Sequence, residues 1–421
     1  MRPPHLPNHL ALIPLAFALA VGTLPAQETA SVEPFRVAVP DTVLTDLRER
    51  LARTRWPASE IDGAGWDYGV PMAYLKSLTA YWADGYDWRR QEAALNAIPQ
   101  FRTRIDGVDL HYFHVRSPHP DALPLVLVHG WPGSVWEFHR LIGPLTDPVA
   151  HGGRAEDAFH VVCPSLPGFG FSSQPTERGW SSQRMAETIA KLMARLGYDR
   201  YGAQGGDWGG NIVSWLASGD AAHCIGAHSN FPGASAPTDD PRRDVTPAEI
   251  ARMESRQKEL ADHRAYGAIQ GTRPQTLAYG LNDSPAGLCA WIVDKFWAWS
   301  DHDGDLDNSY SRDDLLTNVM IYWITDSMPS SVRIYYESQH NQERPASMTP
   351  FTTNSREGKP APMGFALFPK EINVPPRAWV ARARGEQMIH WTDMPRGGHF
   401  AALEQPELLL EDVRTFFRLV R

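Results

Sequence analysis

Gly205-Gly206-Asp207-Trp208-Gly209 follows an apolar run, Tyr201–Gln204, and precedes a helix-forming stretch, Asn211–Leu216. Glycines two positions before and two after a central residue permit a strained strand-to-helix bend that lifts one side chain above a sheet. Here the lifted group is the Asp207 carboxylate. A glycine-rich turn with an N-capping aspartate fits these five residues equally well, so the rest of the chain must decide. A serine must lose its proton before it attacks, whereas a carboxylate with a pKa of about 4 is already anionic at neutral pH and can displace at a saturated carbon. Such a displacement needs a leaving group that departs readily, either a strained epoxide oxygen or a halide. It leaves an ester on the protein, and hydrolysing that ester needs an activated water.

For an elbow of this kind the supporting acid and then a histidine follow in chain order. Gly397-Gly398-His399-Phe400 comes after the last strand-like run, Met388–Thr392, where a loop can carry His399 to the elbow. Glu371 comes just after the run Phe365–Phe368, where a carboxylate can hold the other ring nitrogen of His399. Asp393 is the rival acid, ranked second because it ends the same strand that leads to His399. His129-Gly130-Trp131-Pro132 comes at the end of another buried run, Pro124–His129. A bend there can aim the Trp131 backbone N–H, beside that of Trp208, at a developing oxyanion.

These residues must be held by a sheet. The continuous apolar run Pro124–His129 suits a parallel strand buried on both faces, and further strands are expected at Phe159–Cys163 and Cys224–His228, with a helix at Ser182–Leu196 between them. Ile105-Asp106-Gly107-Val108 has the form of a hairpin turn. Alternating strands and helices predict a doubly wound, mostly parallel α/β sheet, its core formed by residues 103–230 and 361–421. Residues 231–360 lose the strand pattern and are expected to form a helical cap. Thr246 to Glu249 and Ser311 to Asp314 carry capping signals within it. Residues 27–102 form a Trp-rich accessory segment, in which Asp41 is expected to cap a helix through Leu44, Leu47 and Leu51 that stops before Pro57.

At 421 residues, with 43% hydrophobic and 21% charged side chains, the chain can bury a large core. Its net charge of −9 gives no electrostatic footprint for nucleic acid or an anionic membrane. Residues 1–26 read as a secretory signal peptide: Arg2, an apolar run Leu10–Gly22 broken by Pro14, then Ala26 before Gln27. An uncleaved membrane anchor is the alternative, disfavoured because about 20 apolar residues are needed to span. Cleavage removes one arginine and no acid, taking the charge from −9 to −10. The expected product is exported, periplasmic or secreted, with no stable membrane span. Cys163, Cys224 and Cys289 match no metal spacing and are expected as buried thiols. Asp301-His302-Asp303-Gly304-Asp305 departs from a calcium loop, because glycine is not in its sixth place and Arg312 stands where a bidentate acid belongs; a solvated acidic loop is expected.

With these residues in view, the chain resembles the microsomal-type epoxide hydrolases of the α/β-hydrolase fold over nearly its whole mature length. The resemblance is carried by Pro34-Phe35-Arg36-Val37, Thr54-Arg55-Trp56-Pro57, His129 to Ser134, the elbow, Leu281 to Pro285, Asp314 to Val319, Phe368 to Glu371 and Gly397 to Ala402. It implies that Asp207 is the nucleophile, Glu371 the charge-relay acid and His399 the base that activates water. It also implies that two cap tyrosines donate to the epoxide oxygen, corresponding here to Tyr266 and Tyr335, with Tyr336 adjacent to the second. Phenols suit that task because, with a pKa of about 10, they stay protonated at neutral pH. The implied reaction opens a small hydrophobic epoxide with water to a vicinal diol, without cofactor or metal. The alternative of haloalkane dehalogenation shares the triad, but the cap tyrosines and the N-terminal segment disfavour it. A non-catalytic receptor is disfavoured by retention of every triad position.

Overall fold

The computed structural model describes residues 31–340 and 359–421. The expected signal peptide, residues 1–26, lies outside the described residues, as does part of the expected cap, 341–358. Nine strands form one sheet: β1 (Val32–Pro34), β2 (Gln100–Ile105), β3 (Val108–Val115), β4 (Leu123–Val128), β5 (Phe159–Pro164), β6 (Tyr201–Gly205), β7 (Cys224–Ser229), β8 (Met363–Leu367) and β9 (Met388–Asp393). Their order is β1-β2-β3-β5-β4-β6-β7-β8-β9. The first three strands pair antiparallel at one edge, and all pairs from β5 through β9 are parallel. Asp106 and Gly107, with φ of 52° and 81°, make the two-residue turn between β2 and β3.

The strand order fixes where a site can form. From β4 the chain moves outward to β5, then crosses back over β4 to β6 and continues in the opposite direction. Between β4 and β6 the connections diverge, which opens a crevice beyond the carboxyl ends of those two strands. His129 to Trp131 and Gly206 to Asp207 are the residues that emerge there. Helices Ser182–Arg195 and Trp208–Gly219 pack on each other over one face, and His139–Thr146 packs on Pro406–Phe417. Gly202, Gly226 and Gly364 carry no side chain on the face where Phe416 and Phe417 lie, so those rings sit directly on the strands.

Between β7 and β8 the described residues carry no strand. They form helices that include Pro247–Glu259, Ala265–Thr272, Pro285–Trp299, Arg312–Ile324 and Arg333–His340. Thr246 and Glu249 form a complete capping box. At Ser311 the hydroxyl accepts the Asp314 N–H, but the Asp314 carboxylate returns to that hydroxyl instead of the backbone amide. The accessory segment braces this cap: Tyr81 donates to Asp313 at 2.7 Å, Tyr86 meets Thr317 at 3.0 Å, and Trp66 stacks on Trp297 with ring centroids 4.1 Å apart. The expectation for Asp41 needs correction. Pro40 holds the N-cap position with ψ of 143°, so Asp41 is the first helical residue, makes no capping bond and pairs with Arg89. Its charge still suits a helix N-terminus.

Candidate active site

Asp207 stands at the N-cap position of the helix Trp208–Gly219, with φ of 52° and ψ of −128°, yet its side chain caps nothing. The backbone is left-handed at a residue with a side chain, a conformation that persists only where the surroundings enforce it. Close packing does so here. A Cβ on Gly209 would lie 2.0 Å from the Val128 carbonyl oxygen, and one on Gly130 would lie 2.3 Å from Asp207 Oδ1. The carboxylate is thereby aimed at the crevice, where Oδ1 accepts the Trp131 N–H at 2.8 Å. Trp208 begins the helix, and the first four N–H groups of a helix lack intrahelical partners, so its amide is available beside the same carboxylate.

His399 lies between two carboxylates. Its Nδ1 is 2.5 Å from Glu371 Oε1, and its Nε2 is 3.5 Å from Asp207 Oδ2. Burial by itself would push the imidazole pKa down, but Glu371 and Asp207 together outweigh it and raise the pKa to about 10. The resting site therefore holds an imidazolium between its two acids. The backbone fixes this arrangement: the His399 N–H donates to the Trp299 carbonyl at the end of a cap helix, and the Gly397 N–H donates to Asp301. Asp301 thus supports the histidine loop and is not the purely solvated acid expected of its loop. The buried Arg256, from the cap helix Pro247–Glu259, donates to the carbonyls of Glu371, Lys370 and Ala298 and so ties the Glu371 loop to the cap. The rival acid Asp393 is exposed and is bound instead by Arg252 at 2.8 Å and Trp391 at 3.0 Å.

Both cap tyrosines cluster above the elbow. Tyr335 packs edge-on against Trp208, Trp131 and Tyr266, with centroids 4.9, 5.8 and 5.9 Å apart, and Tyr266 stacks on Trp131 at 5.5 Å. Burial, and then neighbouring negative charge that includes Asp207, raises both phenol pKa values, so each hydroxyl keeps its proton at neutral pH. The Tyr335 hydroxyl is buried close to Tyr266 and Trp208. Tyr336, its neighbour, stacks on His340 instead. A groove of about 710 Å³, walled by Trp66, Trp291, Trp297 and Lys295, reaches Tyr266 from solvent. Lys295 Nζ lies 4.8 Å from the Tyr266 ring centroid and pairs with Asp294.

One charged residue at the site has no place in the sequence reading. Glu137 shares with Asp207, His399 and Asn230 a small cavity below the elbow. Burial pushes its carboxyl up to about 8, and the Asp207 charge adds to the rise against the opposing effect of His399. Its position eight residues beyond His129 offers no pattern from which the contact could be read; the turn at Gly133 that folds it inward is visible only in three dimensions. The three cysteines are buried and unpaired.

Known proteins resemble this chain in sequence and fold. Residues 32–138 match the family described as the epoxide hydrolase N terminus, and residues 124–240 match the α/β-hydrolase fold. "Epoxide hydrolase 1" of Oryctolagus cuniculus is 38% identical over 421 residues, covering 93% of this chain and 90% of that protein. The crystal structure of juvenile hormone epoxide hydrolase from the silkworm Bombyx mori superposes with a TM-score of 0.83 at 31% identity, covering 94% of this chain and 96% of that one. The epoxide hydrolase structure from Aspergillus niger gives a TM-score of 0.80 at 31% identity, covering 95% and 99%. The chain belongs to the epoxide hydrolases, enzymes of the α/β-hydrolase fold that carry the epoxide hydrolase N-terminal region.

Proposed function

We propose that this enzyme opens a small hydrophobic epoxide to a vicinal diol through an ester on Asp207. The observation that carries the reading is the placement of one carboxylate between three kinds of partner: the Trp131 N–H on Oδ1, His399 near Oδ2, and the two protonated phenols above it. Asp207 Oδ2 attacks an epoxide carbon and the C–O bond to the ring oxygen breaks. That oxygen takes a proton from Tyr266 or Tyr335, a general-acid contribution of about 10²–10⁴-fold. Oδ1, still on the Trp131 N–H, becomes the ester carbonyl.

Alkylation also changes the base. Esterified Asp207 has lost the charge that helps raise His399, so the imidazole pKa falls and the neutral ring can accept a proton from water. The water oxygen adds to Cγ of Asp207, and the oxyanion forms on Oδ1, where the Trp131 N–H already points. Collapse releases the diol oxygen, which takes the proton back from His399. The new carboxyl group loses its proton and the tyrosine regains one, so epoxide and water balance diol.

Substrate enters this scheme through the groove that reaches Tyr266, whose size suits a small-molecule guest. Export of the mature chain from Gln27 belongs to the same proposal, resting on Arg2 and the apolar run that follows it. Among the described residues no helix is long and apolar enough to cross a membrane. The test is turnover of an epoxide panel, styrene oxide included, with chiral resolution of the products. Diols are expected; halide release from haloalkanes with no diol from any epoxide would overturn the reading.

A further inference from the structure

Ester hydrolysis needs a water held at a defined angle to Cγ of Asp207, and one histidine nitrogen cannot fix a molecule that pivots about a single hydrogen bond. A second polar group on the same water would supply the missing constraint. The tyrosines do not serve, because neither lines the small cavity below the elbow. That cavity is bounded by Gly130, Trp131, Glu137, Asp207, Asn230 and His399, among others, and leaves about 10 Å³ for the centre of a water-sized sphere. Such a space holds about one water. Asn230 is already engaged, its Oδ1 accepting from Gln204 and its Nδ2 facing the His399 carbonyl. Glu137 is the remaining side chain there with an oxygen to offer.

The backbone makes room for that carboxyl. A Cβ on Gly133 would lie 1.3 Å from Glu137 Oε1, so the position is open only because residue 133 has no side chain. Such crowding cannot be relieved by a small shift. We infer that Glu137 is the second holder of the hydrolytic water, accepting one of its hydrogens while His399 Nε2 removes the other. The water oxygen then bonds to Cγ, its proton moves to His399, and the Glu137 carboxyl ends the step unchanged. Glu137 therefore acts only after the ester has formed. Epoxide opening, on the tyrosine side of Asp207, does not involve it.

The inference rests on the ester pathway proposed above, and the experiment separates the two. Single-turnover stopped flow on the full chain, read by tryptophan fluorescence and by intact mass, resolves ester formation from its hydrolysis. Glu137→Met removes the acceptor at similar volume: ester formation should stay within about 3-fold of the native rate while hydrolysis slows about 10²-fold, the scale set by misplacing a reacting group by about 1 Å. Glu137→Gln keeps a carbonyl oxygen and should recover hydrolysis to within about 10-fold. Gly133→Ala, which displaces the carboxyl without altering it, should show the same split as Glu137→Met. Native hydrolysis rates in both Glu137→Met and Gly133→Ala, or equal slowing of both steps, would overturn the role. Absence of any adduct in a parallel His399→Gln sample would instead remove the ester pathway itself, and this role with it.

Discussion

His399 Nε2 stands 3.5 Å from Asp207 Oδ2, so the group assigned as base rests against the group assigned as nucleophile. On the proposed ester pathway the histidine carries different charges in the two half-reactions: imidazolium beside the free carboxylate, neutral base beside the ester. His399→Gln should therefore alkylate and then stall. Intact-mass spectrometry should find a persistent adduct on Asp207, with steady-state turnover down by about 10³-fold or more. Turnover near the native rate would contradict the assignment.

The charge on Asp207 also sets a pH dependence. Because that charge raises His399, Asp207→Asn should lower the His399 titration midpoint below its native position near 10, measured by NMR of the ring nitrogens. The linked stability has a definite sign. A histidine raised on folding contributes fully below its unfolded pKa of about 6.5, and that contribution is lost as pH climbs toward the folded value. The His399 share of stability should therefore fade between about pH 6.5 and about pH 10 in the native protein, and over a narrower range in Asp207→Asn. An unchanged midpoint in the variant would show that the two groups are not coupled.

Tyr266 and Tyr335 should matter to the first step alone. Replacing both with Phe is expected to slow ester formation by about 10²-fold or more, without a matching loss of fold. A stable, fully active double variant would remove the tyrosines from the scheme.

Arg256 donates to three carbonyl oxygens on two segments, and Leu in its place would leave those acceptors buried without a partner. Arg256→Leu should cost about 3 kcal/mol in urea unfolding. Ester hydrolysis should slow more than ester formation, since the Glu371 loop that orients His399 loses its tether. A variant as stable as the native protein would show that the clamp does not hold the two segments together.

What could be read from the residues alone follows from how locally each feature is encoded. The elbow was legible because glycine spacing, an apolar strand and a helix start are all within about ten residues of Asp207. Glu371 and His399 were legible from their places after strands, and the geometry that separates Glu371 from Asp393 is the partnering of the latter with Arg252 and Trp391. Tyr266 and Tyr335 lie on different cap helices and came only through resemblance, since nothing in their neighbourhoods distinguishes them from other tyrosines. Glu137, Arg256 and Asp301 were missed for a common reason. Each acts through contacts with segments far away in the chain, and each looks locally like an ordinary surface charge. Asp41 failed for the opposite reason: a purely local rule for aspartate was overridden by the proline before it.

The most direct measurement is a single turnover with enzyme in excess over epoxide, in water enriched in oxygen-18. After digestion, the peptide bearing Asp207 should be heavier by one labelled oxygen, and the diol should carry none. Label in the diol, with an unlabelled Asp207 peptide, would mean that water attacks the epoxide directly and that no ester is formed.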